Sequence, residues 1–332
     1  MNLPHRIELL TRLGEYLLGE APAWLEAKER AGQENSWFTP EFTDLAVHRI
    51  ATGFLAEQIL CDWTGRYELP GEQAAPRTVG IVMAGNIPLV GFHDFLCGFI
   101  SGHRLVLKPS SRDQVLIRHL VSTLAAWDPE VARLVSFSDQ LRGCDAYIAT
   151  GSSNTSRYFD YYFAKYPHII RRNRSSVAVL EGSESQEDLE RLADDVYQYF
   201  GLGCRNVSQL YVPEGYDFLP LLEAFRKYQY LTEHHKYKNN YDYNLALHLL
   251  NKRYYMTNGS ILLVESAAVF SPISQLNYAF YAEAGSLQED LQNLADIQCV
   301  IGKGGLPFGS AQSPSVDDYA DGVDTLAFLK SL

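Results

Sequence analysis

At 332 residues, 46% of them hydrophobic, the chain can bury a sizeable core, and because cores seldom grow far beyond ~250 residues without splitting, two domains are expected. A formal net charge of −12, with Lys and Arg scattered and not gathered in a stripe, argues against nucleic acid as a partner, although one local positive pocket could still take a charged nucleotide. Cys61, Cys97, Cys144, Cys204 and Cys299 are widely spaced and form no CxxC pair, which fits a reducing compartment and argues against zinc. His234, His235 and His248 come without an HExxH or carboxylate spacing and read as core or solvated histidines, so no metal is expected.

Residues 1 to about 66 read as helices, with Ile7, Leu10, Leu13, Tyr16 and Leu17 on one face and Leu45, Ile50, Phe54, Ile59 and Leu60 suggesting another. The N-terminus carries no apolar core followed by a cleavage site. The longest apolar run, Ile87 to Ile100, is broken by His93-Asp94 and falls short of the ~20 residues that span a bilayer. No membrane span and a cytoplasmic location are therefore expected. Asp62 to Pro76, rich in Gly and Pro, reads as a connector.

From Thr78 the pattern alternates strand and helix. Thr78 to Met83 is a buried strand, Ala84-Gly85-Asn86-Ile87-Pro88 a tight turn with Pro88 suited to a first helical position, and Leu89, Phe92, Leu96 and Phe99 a helix face ended by Gly102. Arg104 to Leu107 is a second strand, closed by Lys108-Pro109-Ser110-Ser111 and followed by a helix from about Asp113 to Trp127. Val131 to Phe137 and Asp145 to Ala149 are further strand candidates, the latter running into Thr150-Gly151-Ser152-Ser153 and an aromatic-rich helix. Repeated units of this kind imply a parallel, doubly wound sheet of the α/β class. In such sheets ligands sit beyond the carboxyl ends of the strands, so Asn86, Lys108, Ser110, Ser111, Gly151 and Ser152 are candidate nucleotide contacts. Taken singly, each also has a plain structural use: Asn86 as a turn former, Lys108 as a solvated strand end, Ser152 as a helix cap. No GxGxxG follows the first strand.

His168 to Gly182 reads as two strands around a basic turn. Ser185 with Asp188 is a capping-box start, and Leu189, Leu192, Ala193, Val196 and Phe200 recur at helical spacing, so a helix should end near Gly201. Val207 to Val212 is a strand, which leaves Gly201-Leu202-Gly203-Cys204-Arg205-Asn206 as a glycine-lined turn with an approachable thiol. A helix at Phe218 to Tyr230, a surface cluster of aromatics at Tyr237 to Tyr243, and strands at Arg253 to Thr257 and Ile261 to Val264 complete the reading.

Taken in order, Ala84-Gly85-Asn86-Ile87-Pro88, Lys108-Pro109-Ser110, Thr150-Gly151-Ser152, Gly201-x-x-Cys204 and Pro307-Phe308-Gly309 resemble the aldehyde dehydrogenase superfamily over roughly residues 76 to 332. The ending from Pro307 to Leu329 is most similar to its acyl-CoA reductase family, the LuxC type. The resemblance implies an aldehyde dehydrogenase-like fold, a Rossmann-type doubly wound cofactor domain plus an α/β catalytic domain. The expected division is a helical preface at 1–75, a cofactor domain at 76–172, a catalytic domain at 173–305 and a segment at 306–332 that completes the site. It implies that Cys204 is the nucleophile, that Asn86 and the Cys204 N–H donate to the oxyanion, that Lys108 holds the adenosine ribose, and that Gly151 and Ser152 lie against the cofactor phosphates. Glu265 would hold the nicotinamide ribose. Where NAD-selective relatives often carry a carboxylate, this chain has Ser111 and then Arg112, which points to NADPH, with NADH open as the alternative.

Two departures stand out. Hydrolytic aldehyde dehydrogenases keep a Glu where this chain has Ile169 to Asn173, and Asp62 to Pro76 leaves little room for a subunit-joining hairpin, so a homo-oligomer stays open. The expectation is an NADPH-dependent acyl-CoA reductase that forms an aldehyde through a Cys204 acyl-enzyme and releases coenzyme A. An acyltransferase or thioesterase using the same acyl-enzyme without hydride transfer is the rival.

Overall fold

The computed structural model describes the chain apart from residues 152, 283–286, 288–290 and 292–293 and the side chains of 153–157. It divides into two units, Met1–Asn173 with Pro314–Leu332, and Arg174–Ser313.

The first unit opens with four helices, α1 (Leu3–Leu18), α2 (Pro22–Glu34), α3 (Pro40–Phe54) and α4 (Glu57–Gly65). Three carry a proline in the first turn, where its missing N–H costs nothing, and α1 and α3 are capped by Asn2 and Thr39. Then follow β1 (Thr78–Val82), α5 (Phe92–Ser101), β2 (Arg104–Lys108), α6 (Val115–Trp127), α7 (Val131–Leu134), β3 (Val135–Phe137), β4 (Ala146–Thr150), α8 (Ser153–Phe163) and β5 (His168–Arg171). The five strands are all parallel in the order β3-β2-β1-β4-β5. This is the expected doubly wound sheet, and the strand order reverses at β1, where such sheets bind ligands. Val79, Ile81, Leu105 and Leu107 are buried with Phe95 and Phe99 of α5 in its core.

Gly102 ends α5 in the left-handed region at φ 81°, and a Cβ there would stand 2.7 Å from Arg6 Nη1, so both conformation and space require glycine. Arg6 is itself buried and donates to the Ile100 and Met1 carbonyls. Two sequence expectations are corrected here. Val131 to Leu134 is a helical turn, and only Val135–Phe137 pairs as strand. Pro88 does not open α5, because the next residue, Leu89, has φ 56° and its N–H is taken by Asp113; the helix starts at Phe92.

The chain returns to this unit at its end, where α12 (Thr325–Lys330, capped by Asp324) follows a polar segment. Arg171, at the end of β5 and 3% exposed, donates to Asp94 at 2.7 Å, to Thr325 Oγ1 at 2.7 Å and to the Ala320 carbonyl at 2.6 Å. Breaking a buried pair of this kind typically costs about 3–5 kcal/mol, since it leaves a charge without its partner. Tyr319 adds a second tie, accepting from Trp63 Nε1 and meeting Tyr67 OH at 2.7 Å.

The second unit runs β6 (Ser175–Val179), α9 (Gln186–Tyr197), β7 (Val207–Pro213), α10 (Phe218–Ala224), α11 (His235–Leu250), β8 (Met256–Thr257), β9 (Leu262–Glu265), β10 (Gln275–Tyr281) and β11 (Ile297–Gly302), with 3-10 turns at Gln198–Gly201 and Phe225–Glu233. Its sheet has the order β11-β6-β7-β10-β9-β8 and is parallel apart from β8, which runs antiparallel on β9. The capping box of Ser185 and Asp188 is present, worth about 1 kcal/mol to α9. The tyrosine-rich span is not a surface cluster. It lies within α11, and Tyr237 and Tyr241 are buried, bonding the Ser260 carbonyl and Thr257 Oγ1 of the neighbouring hairpin at 2.9 Å each. His248 bonds Gln275 and is a core histidine, as its isolation in the sequence suggested.

Candidate active site

The carboxyl edge of the first sheet gathers most of the residues expected to bind cofactor. The register sets Val82 level with Lys108 and Ala149, and Thr150 level with Arg171, so the turns after β1, β2 and β4 leave from one edge. Met83 N extends the ladder to the Lys108 carbonyl at 3.0 Å, and Gly151 N meets the Arg171 carbonyl at 3.3 Å. Lys108, Ser111 and Arg112 are exposed there, and Asn86, Ser110 and Gly151 are half-buried. Ser110 Oγ accepts from Arg112 N at 3.2 Å, which shapes its turn. Ser152 lies outside the described residues. Two exposed cations and a serine hydroxyl thus lie at and beyond the end of β2.

The turn bearing Asn86 lies tightly on the β2–α6 turn. A Cβ on Gly85 would stand 2.7 Å from Ser110 Cβ and 3.2 Å from Asp113 Cβ, so only glycine permits the approach. Asp113 Oδ2 then accepts from Leu89 N at 2.6 Å. Asp113 is 6% exposed, and its Oδ1 has no hydrogen-bond partner among the described residues. Burial pushes its carboxyl up to about 7 against the opposing pull of the Leu89 N–H, with no charged neighbour contributing. A folded-state acid raised in this way keeps its proton while the unfolded chain ionises, so stability is fullest below the unfolded value and falls as pH rises towards 7. Asp113→Asn, which cannot ionise, should therefore gain stability over the wild type, by about 1–3 kcal/mol near pH 8 and by little near pH 4, in denaturant melts at the two pH values.

In the second unit the thiol turn is built by α9 and Asn206. Tyr199 and Phe200 take left-handed φ of 55° and 58°, an uncommon pair for bulky residues, and end α9 sharply. Asn206 compensates. Its Nδ2 donates to the carbonyls of Asp195, Val196 and Gln198 at 3.1, 3.3 and 2.8 Å, and its Oδ1 accepts from Gly203 N at 2.8 Å. Cys204 stands half-buried on this turn. Ser176 Oγ donates to the Cys204 carbonyl at 3.1 Å and lies 3.0 Å from Cys299 Sγ, whose thiol burial pushes up. Arg205 is buried and its charge acts on Cys299, against that burial.

The Pro307-Phe308-Gly309 turn is held to the same helix. Asp195, 1% exposed, accepts from Gly309 N through Oδ2 at 2.7 Å and from Ala311 N through Oδ1 at 2.9 Å. Glu265 is not brought to the thiol. The register sets it level with Tyr278 and Leu210, two strand spacings or about 10 Å across the sheet from β7, whereas Cys204 precedes that strand. Glu181 is exposed beyond the carboxyl end of β6 and pairs with Lys303, while Ser176 at the other end touches the Cys204 turn; the five intervening steps extend about 16 Å.

The family model described as acyl-CoA reductase (LuxC) matches residues 56–220, a stretch that includes both Asn86 and Cys204. No curated protein matches the sequence. Among solved structures, aldehyde dehydrogenase 21 from Physcomitrella patens is 14% identical with a TM-score of 0.70, covering 100% of this chain and 84% of that one. An NADP-dependent enzyme of E. coli is 14% identical (TM-score 0.67, 91% and 73% covered), and an NAD-dependent aldehyde dehydrogenase from Sinorhizobium meliloti 12% (TM-score 0.65, 91% and 70%). At these identities the likeness shows an aldehyde dehydrogenase-type fold. The sequence reading missed four residues that build these turns: Asp113, Ser176, Asp195 and Asn206 as an anchor. Only Asn206, two residues from the thiol, lay where a local signal could have drawn attention to it; the partners of the others are set by tertiary structure.

Among the described residues no group of three or more His, Cys, Asp or Glu could hold a metal, and no helix is long and apolar enough to cross a membrane.

Proposed function

We propose that the chain is an NADPH-dependent acyl-CoA reductase in which Cys204 accepts the acyl group of an acyl-CoA. The bound nicotinamide nucleotide supplies the hydride that reduces this thioester to an aldehyde. The observation that carries the reading is the thiol turn, braced by Asn206 and Ser176 within a stretch that matches the acyl-CoA reductase (LuxC) model, with Asp195 and Glu181 each committed to other partners. Cys204 attacks the thioester carbonyl and coenzyme A leaves. Asn86, with the Cys204 N–H, donates to the oxyanion formed on the way, as the family resemblance implies. Lys108, Ser110, Ser111 and Arg112 hold the adenosine end, and Gly151 with Ser152 lies along the phosphates. Glu265, at the end of β9, is the carboxylate that the resemblance offers to the nicotinamide ribose. A cytoplasmic setting would keep the thiol reduced, and the fold type is consistent with a homo-oligomer.

The test is turnover by purified protein of a panel of acyl-CoAs with NADPH, followed by loss of nucleotide absorbance with the aldehyde trapped. No consumption with any acyl-CoA, while free acid accumulates, would move the assignment to a thioesterase.

Cofactor choice follows from Ser111 and Arg112. Both are exposed beside Lys108, so a 2′-phosphate meets a hydroxyl and cations and no carboxylate. NADPH should be used with kcat/KM at least about tenfold above NADH, and Ser111→Glu should reverse the order by placing a negative charge against the phosphate. Equal efficiency with NADH in the wild type would refute the assignment.

A further inference from the structure

A buried carboxyl with one oxygen satisfied and the other without a partner is an expensive feature for a fold to keep. Asp113 is such a group, and its one bond goes to the turn that carries Asn86. The acceptor does more than fill a gap. Leu89 sits at φ 56°, a conformation that costs a non-glycine residue of order 1 kcal/mol, and its N–H points to Asp113 and not back into α5. Gly85, on the other side of Asn86, is packed against Ser110 and Asp113. Asn86 is thus held from both sides by contacts that converge on the β2–α6 turn. An oxyanion donor acts only if its direction is fixed before the charge develops, so the turn's anchor is part of its function.

We propose that Asp113 is a positioning residue for the reaction, fixing the Asn86 turn through the Leu89 N–H so that the Asn86 side chain is preset towards the oxyanion. This rests on the reading of Asn86 as oxyanion donor and of Cys204 as acyl carrier given above. A purely structural role makes a different demand of this site: an apolar side chain removes the ionising carboxyl but leaves the buried Leu89 N–H without its acceptor, so any loss of rate would follow the loss of stability.

The experiment compares wild type with Asp113→Asn, Asp113→Leu, Asn86→Ala and the Asn86→Ala/Asp113→Leu double variant. It reads the rate of Cys204 acylation from acyl-CoA by intact mass, kcat and KM for NADPH, and thermal stability. Asn keeps an acceptor for Leu89 and should retain acylation within about threefold, whereas Leu should lose about ten- to a hundredfold in acylation and kcat, with KM for NADPH little changed. Stability should not track these rates: near pH 8 Asn should lie at or above wild type, and Leu, which removes the ionising group but leaves the Leu89 N–H unpaired, within about 2 kcal/mol of it. In the Asn86→Ala background, itself slowed about 10²–10³-fold, Asp113→Leu should cost less than about twofold more, because both act through one donor. Acylation by Asp113→Leu within threefold of wild type, or a full additional loss in the double variant, would overturn the proposal. Should Asp113→Leu fail to fold, Asp113→Ala in its place is read by the same rates, and a loss rescued by Asn at equal stability supports the role while a loss that tracks stability overturns it. If wild type acylates and Asn86→Ala does not slow it, the reading of Asn86 fails and the proposal with it; if wild type forms no adduct on Cys204, the proposed function itself is at fault.

Discussion

Cys204→Ala should abolish aldehyde formation while leaving the fold and nucleotide binding intact. The thiol is half-buried, and the turn that carries it is held by bonds to its backbone and to Asn206, none of which uses the sulfur. Removing it takes away one small side chain and leaves the Ser176 and Asn206 bonds in place, so stability should change by less than about 1 kcal/mol. Turnover depends on the sulfur entirely, because the acyl group has nowhere else to reside, and a loss of at least about 10⁴-fold is expected. Cys299 is no substitute: it lies within a strand and burial pushes its thiol up, away from the thiolate that attacks. Residual activity within a hundredfold of wild type, measured by aldehyde release, would contradict the assignment.

Asn206→Ala should damage both fold and rate. One side chain satisfies three helix-end carbonyls and one turn N–H, at a point where Tyr199 and Phe200 already hold an unfavourable conformation. Leaving these buried groups unpaired should cost about 2–4 kcal/mol. The thiol would lose its fixed approach, and acylation should slow about ten- to a hundredfold. Asn206→Asp keeps the acceptor for Gly203 N but presents a second oxygen to three carbonyls, so it should be no better than Ala in stability. Denaturant melts and the acylation rate check both, and an Ala variant that melts and acylates like wild type would remove Asn206 from the account.

The parallel sheet of the first unit was legible because each strand is a short apolar run closed by a turn rich in Gly, Pro or Ser, and the same turns carry the expected cofactor residues. The thiol turn was legible because a capping box opens α9 and glycines flank the thiol, but the helix expected to reach Gly201 ends at Tyr197, where Tyr199 and Phe200 turn left-handed. What could not be read depends on partners distant in the sequence. Pro88 looked like a helix start until Asp113 took the Leu89 N–H. Tyr237 and Tyr241 looked superficial in a polar span, but their hydroxyls find acceptors at Ser260, in the turn before β9, and at Thr257 of β8, which offsets the cost of burial. β10 was not assigned; its apolar pattern is interrupted by Asn277, which is buried because its amide donates to the Ala268 and Phe270 carbonyls. Glu265 was taken from the resemblance despite an imperfect spacing, and its register on β9 sets it level with Tyr278 of β10.

The account turns on an acyl-enzyme that waits for hydride and resists water. General-base help typically contributes 10²–10⁴-fold to attack by water, and no carboxylate described near the thiol turn is available to give it. Asp195 has both oxygens committed to backbone N–H groups, Glu181 is paired with Lys303 at the far end of β6, and the span Ile169 to Asn173 offers a buried Arg171 and no acid. The direct measurement is to load the protein with acyl-CoA without nucleotide, locate the adduct by mass spectrometry of a digest, and divide the sample between buffer and NADPH. The expected result is an adduct on Cys204 that persists in buffer with almost no free acid and leaves as aldehyde when NADPH is added. Rapid release of free acid whether or not NADPH is present, or an adduct on Cys61, Cys97, Cys144 or Cys299 in place of Cys204, would contradict it.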